Sequence, residues 1–315
     1  MSRPRSGSNT KILTPLQADR LDGRGWDYSC DVLVIGWGAA GACAALEARS
    51  QGAEVIVADR FTGGGASAKS GGVVYAGGGT RQQQDAGFSD TPQAMFDYLK
   101  HETRGVISDD TLRKFCDDSA DNLRWLESHG ARYAHSLPPG GKTSYPADGY
   151  FLYYSGNELV PSHSGEHPAA PRGHRTVGKG QCGAVLYGHL QAACLRAGVQ
   201  PLLQSAARRL VVDDNGRVLG AELWRLPEGT REARVHARLA ARAERWQNFA
   251  PGYCDRLRQK ISRLERDHGQ PVLVRARRGV ILSTGGFIFN RDLIREHAPK
   301  FRRNFKVGAT GCDGS

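Results

Sequence analysis

Gly36, Gly38 and Gly41 stand in the spacing G-x-G-x-x-G inside the stretch VLVIGWGAAG, directly after the aliphatic run Val32 to Ile35. Residues of that type at that spacing can hold a pyrophosphate. Gly36 permits a tight strand-to-helix turn, Gly38 lets backbone approach the phosphates, and Gly41 lets the next helix press against the strand. Free amides at the start of that helix, AAGACAALEARSQG, attract the anion. A second aliphatic run, AEVIVADR, ends in Asp59, 23 residues beyond Gly36. An acid at that strand tip accepts hydrogen bonds from ribose hydroxyls and repels a 2'-phosphate, which argues against NADP. The plain alternative is an ordinary βαβ unit with a chance glycine turn. Strand, turn, helix, strand and acid in register speak for a dinucleotide site.

The elements that must position these groups follow from composition and punctuation. The chain has 315 residues, 39% hydrophobic and 24% charged. That suits one large α/β domain with an insert, or two domains. No apolar run is long enough for a transmembrane segment. Residues 1–29 are polar and lack the apolar centre of a signal peptide, so they read as a mobile N-terminal arm. Seven cysteines are scattered without a C-x-x-C pair. Reduced thiols in a cytoplasmic protein are expected, with neither a disulfide framework nor a metal site.

After the βαβ unit (30–60) come a glycine-rich loop (61–80) and a mixed region (81–177). DTPQAMFDYLKHET reads as a helix capped by Asp90 or Thr91, and the stretch from Ser108 to Gly130 as one further helix. Residues 138–183 are rich in Pro, Gly, His and Tyr with little periodicity, a long irregular segment of the kind that often carries function. ARRLVVDDNGRVLGAELW is a β-hairpin with an Asp-Asn-Gly turn. Between Arg225 and Arg278, 14 Lys or Arg stand against 6 Asp or Glu, a large part of the net charge of +11. Leu239, Trp246, Phe249, Tyr253, Leu257, Ile261 and Leu264 recur there at helical spacing, so 227–270 reads as an inserted basic αα-hairpin. Its outer face reads as solvated arginine. A nucleic-acid or acidic-membrane surface is the alternative, and no nucleic-acid motif accompanies the charge. VLVRARRGVILSTGGF then returns the chain through a closing strand to a second glycine turn.

Directly after Asp59, FTGGGASAKSGG supplies five glycines and two serines. A nicotinamide-binding domain would continue into another helix and strand. A loop of this kind instead lines a long, bent ligand with amides and hydroxyls. The order of glycine fingerprint, acid, Ser70-Gly71-Gly72, STGGF at Ser283–Phe287 and TGCDG at Thr310–Gly314 resembles the fumarate reductase and 3-ketosteroid dehydrogenase group of flavoproteins. The resemblance runs from about Cys30 to the last residue, apart from the basic insert, and Cys312 departs from the group's T-G-D-G. It implies a Rossmann-like, glutathione-reductase-type FAD-binding domain over 30–315, with a three-stranded β-hairpin region and part of a cap domain. It also implies FAD contacts at Gly36, Gly38, Ala39, Ala40, Gly41 and Asp59. Ser67, Ser70, Gly71 and Gly72 would line the pyrophosphate and isoalloxazine side. Ala207 would present backbone to the adenine, Thr284 and Gly285 would close over the adenosine, and Asp313 would hold the far end.

The Gly-Gly loop has no histidine before it, which within this group implies noncovalent FAD. Where soluble fumarate reductases resemble S-G-G followed by Asn-Ala, this chain has Val73, Val74 and Tyr75, an apolar lip suited to a ring system. With APRGH at Ala170–His174, the resemblance is strongest to the Δ4-(5α)-3-ketosteroid dehydrogenase branch. The implied activity is α,β-desaturation of a small apolar, steroid-like ketone: a base takes the proton beside the carbonyl and flavin takes the neighbouring hydride. A fumarate reductase, or an FAD-binding fragment without turnover, is the second reading. Tyr145, Tyr150, Tyr153 and Tyr154 are candidate bases, or else packing mass, and His163, His167 and His174 read as partly exposed loop residues. Related flavoproteins continue well beyond TGCDGS, so the cap domain, the catalytic base and the segment closing over the flavin are expected outside these residues. The catalytic residues and the electron acceptor stay unassigned.

Overall fold

The computed structural model describes residues 13–21, 24–165, 167–304 and 308–314. The elements in chain order are β1 (Leu16–Gln17), β2 (Tyr28–Ile35), α1 (Ala39–Ser50), β3 (Val55–Ala58), α2 (Gly65–Lys69), β4 (Val73–Tyr75), α3 (Arg81–Asp85), α4 (Pro92–Thr103), α5 (Asp109–Asp117) and α6 (Ser119–Ser128). There follow β5 (Leu152–Tyr153), α7 (Pro161–Ser164), β6 (Gly173–Arg175), α8 (Gly183–Arg196), β7 (Gln200–Leu202), β8 (Ser205–Val212) and β9 (Val218–Arg225). Last come α9 (Arg231–Trp246), α10 (Pro251–His268), β10 (Gln270–Leu282) and α11 (Arg291–His297). They divide into two units. One takes the described residues of 1–66 and 191–315, the other 67–190.

The first unit is built on a seven-stranded mixed sheet in the order β1-β8-β9-β10-β2-β3-β7. β10, β2, β3 and β7 run parallel, while β8, β9 and β10 form an antiparallel meander. β3 is aliphatic and buried at all four positions, as a parallel strand covered on both faces must be. Leu33, Ile35, Ile56, Leu202, Leu223 and Val274 form one core cluster on this sheet. Each contributes roughly 1.5–3 kcal/mol by leaving water. The chain enters α9 and α10 between β9 and β10, where Ala243, Cys254 and Leu257 interlock with Leu239.

The N-terminal segment departs from the mobile arm expected over 1–29. Leu16 and Gln17 pair with Val211 and Val212 at the sheet edge, and β2 already begins at Tyr28. Residues 1–12, 22 and 23 of that arm lie outside the described residues.

The second unit holds a three-stranded sheet in the order β4-β6-β5. Val74 packs with Leu123, Ala131 and Tyr133, whereas Tyr75 packs with Met95, Leu112 and Cys116. Val74 and Tyr75, two of the three residues expected to form an apolar lip, are thus half-buried and packed against core clusters. The single helix expected from Ser108 to Gly130 is two, meeting at Asp118 with φ −83° and ψ −5°. Beside the break, the buried Ser119 hydroxyl accepts from Gly77 N at 3.0 Å. Thr91, not Asp90, caps α4, accepting from Ala94 N at 3.1 Å. Asp90 is committed elsewhere, to Arg172 at 2.8 Å with both side chains buried.

One side chain braces much of the segment 138–183. Arg175 is fully buried and donates to Asp148, to Tyr145 Oη and to the carbonyls of Ala147 and Gly180. A guanidinium fork can bind several loop carbonyls at once, so this stretch holds its shape without long periodic elements.

Candidate functional site

The fingerprint glycines sit between β2 and α1, where the closing strand returns. Gly36 has φ +98°, a left-handed conformation that favours glycine, and a Cβ there would lie 2.3 Å from Ser283 O. Ser283 N donates to Ile35 O, and its hydroxyl donates to Gly36 O at 2.8 Å. A Cβ on Gly41 would meet Gly36 O at 2.0 Å, so α1 reaches the turn only because that residue has no side chain. Gly38 is the N-cap of α1 and provides no side-chain cap, and no acid stands in the first turn. Ala39 and Ala40 open the helix beside it. A twelve-residue helix that starts this way presents positive charge and amide donors to an anion.

Asp59 lies at the end of β3, facing the same turn. Its Oδ2 accepts from Trp37 N at 2.8 Å, and Oδ1 accepts from Phe61 N and Gly63 N at 2.8 and 3.3 Å. The carboxylate thus clasps the glycine turn to the loop after β3. Each carboxylate oxygen has about two acceptor positions, so Oδ2 keeps one for a hydroxyl donor. Past the end of the closing strand, Ala207, Thr284 and Gly285 line one cavity of about 260 Å³ with Ile35, Leu282 and Gly314. Those first three residues are the ones the resemblance implied for the adenine and adenosine.

Asp313, expected at the cofactor's far end, has a protein partner of its own. It is buried, and both its oxygens lie 2.9 Å from Arg60 Nη1. Arg60 also binds Glu265 of α10 through Nε and Nη2 at 2.8 and 2.9 Å. Glu265 in turn bonds His236 of α9 at 3.0 Å, and His236 stacks on Phe61 with centroids 5.3 Å apart. Burial opposes charge on Arg60, but the Glu265 and Asp313 carboxylates overcome it and hold its pKa above the ordinary value. Burial likewise works against the Glu265 anion, while Arg60 and His236 bring its pKa down to about 2. This network escaped the sequence reading, although Arg60 directly follows the recognised acid.

In the second unit, Ser67, Ser70, Gly71 and Gly72 form a tight nest. Ser70 Oγ donates to Ser67 O at 2.8 Å and accepts from Gly72 N at 3.1 Å. A Cβ on Gly72 would lie 2.4 Å from the Cys182 backbone. Tyr145 Oη donates toward Gly71 O and Gly180 O and accepts from Arg175 and Cys182 N. Burial raises the phenol pKa of Tyr145, Tyr153 and Tyr154, the opposite of what a tyrosinate base requires. Tyr145 fixes loop geometry through these bonds, and Tyr153 and Tyr154 are buried. His174, expected as a partly exposed loop residue, is wholly buried on β6 between Thr80 Oγ1 (2.9 Å) and Arg172 O (3.1 Å). Burial pushes its pKa down to about 4.

The described residues contain no cluster of His, Cys, Asp or Glu able to hold a metal ion, and no described helix is long and apolar enough to cross a membrane. Burial pushes the Cys30, Cys43 and Cys116 thiols up to about 11, so they are poor nucleophiles.

Residues 31–315 match the family model described as FAD binding domain. The chain is 44% identical to 3-oxo-5-alpha-steroid 4-dehydrogenase of Comamonas testosteroni, over 97% of this chain and 57% of that protein. It resembles the crystal structure of 3-ketosteroid-delta4-(5alpha)-dehydrogenase from Rhodococcus jostii RHA1 in complex with 4-androstene-3,17-dione. That match has a TM-score of 0.78 and 28% identity, over 96% of this chain and 55% of that one. A flavocytochrome c3 fumarate reductase shares the fold, with a TM-score of 0.66 and 23% identity over 94% of this chain and 40% of that one. The chain thus spans 57% and 55% of the first two of these proteins and 40% of the third.

Proposed function

Because this chain belongs to the FAD binding domain family, we propose that it is the cofactor-holding part of an FAD-dependent dehydrogenase that desaturates a 3-ketosteroid beside its carbonyl. One observation carries the cofactor reading: the Gly36 turn, the uncapped start of α1, the Asp59 carboxylate and the Ser283–Gly285 return converge at the ends of β2, β3 and β10. That is a cradle in which a Cβ at Gly36 or Gly41 would strike backbone. The amides of Gly38, Ala39, Ala40 and Gly41 would take the pyrophosphate, and Asp59 Oδ2 a ribose hydroxyl. Ala207, Thr284 and Gly285 would border the adenosine through the cavity they line. For Ser67, Ser70, Gly71 and Gly72 the assignment rests on the resemblance alone. Asp313 acts here through Arg60, fixing the loop that follows Asp59.

Bound FAD would supply the two-electron acceptor. The chain's own work is to fix that acceptor by donors already in place, which costs little reorganisation when charge moves. The cofactor is held without a covalent bond, and the substrate class follows the 44% identical relative. Cytoplasmic residence with reduced thiols belongs to the same reading.

The test is spectroscopic. A version extended to the length of the relatives and loaded with FAD should bleach its flavin band when mixed anaerobically with a saturated 3-ketosteroid, whereas residues 1–315 alone should not. Rapid reoxidation of the pre-reduced protein by fumarate, with no response to steroid, would transfer the assignment to the fumarate-reducing relatives.

A further inference from the structure

The basic insert carries more organisation than a solvated face requires. On α9, Arg231, Arg234, Arg238, Arg242 and Arg245 follow one another at steps of three or four residues and are all exposed, which makes a single ridge. On α10, Arg256, Lys260 and Arg263 do the same. Asp267 is the one exposed acid in these two helices, since Glu232, Glu244, Asp255 and Glu265 are all partly or largely covered. At the turn between the helices, three aromatic side chains face outward: Trp246 at 45% exposure, Phe249 at 80% and Tyr253 at 40%. Trp246 and Phe249 meet edge to face, with centroids 6.3 Å apart, as an apolar knob rather than a parallel stacking platform. Arg242 lies one turn before Trp246, and Arg256 one turn after Tyr253, so cations collar the knob.

Beside this turn lies a cavity of about 530 Å³ with Gln247, Pro251 and Asp255 on one wall. Arg291, Arg295, Arg302 and Arg303 share the rest of the lining with Phe289, Ile294 and Asn304. Asp255 answers Arg291 at 2.8 Å, and Asp292 answers Arg295 at 2.8 Å. Positive charge remains in excess.

We propose that the α9–α10 turn and the arginine-lined cavity beside it dock the protein onto an anionic lipid surface. Aromatic rings enter the boundary between headgroups and acyl chains, as Trp and Tyr do at membrane interfaces. The ridge arginines and the cavity meet headgroup phosphates, which guanidinium groups bind in fork geometry. The charge and the knob are complementary to the two layers of such a surface, and neither alone selects it. This inference goes beyond the proposed chemistry and stands or falls separately from it.

Co-sedimentation with phospholipid vesicles tests it. The protein should pellet with phosphatidylcholine vesicles containing phosphatidylserine and stay in the supernatant with phosphatidylcholine alone. Trp246→Ser with Phe249→Ser should lower the partition coefficient by about tenfold or more, as loss of two interfacial rings requires. Arg242→Glu with Arg245→Glu should lower it at least as much. Both pairs lie on the surface, so an unchanged urea midpoint certifies that each variant is folded. Equal binding to neutral vesicles, or full binding by the Trp246/Phe249 variant, would overturn the proposal. Absence of vesicle binding together with salt-sensitive retention on DNA would overturn it in favour of a nucleic-acid surface.

Discussion

Glu265→Gln isolates the link between the helical insert and the loop after Asp59. The substitution keeps shape but removes the charge that faces Arg60 at 2.8 and 2.9 Å, and it sets an amide N–H₂ against a guanidinium. The Glu265 pKa falls from 4.5 to about 2 on folding. At ~1.4 kcal/mol per pKa unit, that drop is worth about 3 kcal/mol. Breaking a buried pair by removing one partner gives a similar figure, about 3–5 kcal/mol. Arg60 keeps Asp313, so the lower end applies. A loss of about 3 kcal/mol lowers the melting temperature of a domain this size by roughly 6–12 °C. The sign with pH is fixed. A carboxylate whose pKa is depressed in the fold stabilises fully above its ordinary 4.5, and that contribution is lost as pH falls toward about 2. Urea unfolding between neutral pH and pH ~3 should therefore show an acid limb in the wild type that is shallower in the variant. A double-mutant cycle with Arg60→Met should return a coupling above ~1 kcal/mol. A loss under ~1 kcal/mol at neutral pH with an unaltered acid limb would refute the network as a stabilising link.

Three further outcomes are expected. Gly36→Ala combines a left-handed φ of +98° with a Cβ 2.3 Å from Ser283 O, so it should cost about 3–5 kcal/mol. Gly285→Ala, with φ +80° but open space, should cost only ~1 kcal/mol, and paired urea titrations compare the two. His174 is neutral in the fold with a pKa near 4 against an ordinary 6.5, so its contribution is full above 6.5 and lost as pH falls toward 4. His174→Gln should flatten that limb when unfolding is followed by tyrosine fluorescence. Gly38→Val should abolish FAD retention, and acid precipitation of the wild type should leave the yellow colour in solution; colour in the pellet would disprove the noncovalent assignment.

What the sequence reveals depends on how far apart the partners are. The βαβ unit is legible because one strand, one turn and one helix carry their own periodicity and glycines within about thirty residues. The insert is legible as a helical hairpin for the same reason, through Leu239, Leu257 and Ile261, although Trp246, Phe249 and Tyr253 of the expected apolar stripe face outward. The β4-β6-β5 sheet is not, since strands of two or three residues show no alternation. The Arg60–Glu265 pair is not either: its members stand 205 residues apart, and both look like surface charges in isolation. The packing of Val74 and Tyr75 against core clusters was not legible either, because apolar side chains between glycines carry no sign of their partners. The break at Asp118 was hidden because the residues around it continue a plausible helix.

The parallel pairing of β10 with β2 has a consequence for biosynthesis. Val274 pairs with Tyr28 across 246 residues, so the central strand has β3 as its early partner and a bare edge on the other side. At ~5–20 residues per second, a ribosome needs roughly 12–50 s to deliver the missing strand. The α9–α10 hairpin closes locally within that interval, whereas the sheet cannot close until β10 has left the exit tunnel. During that wait an aliphatic edge stands open to pairing with other chains.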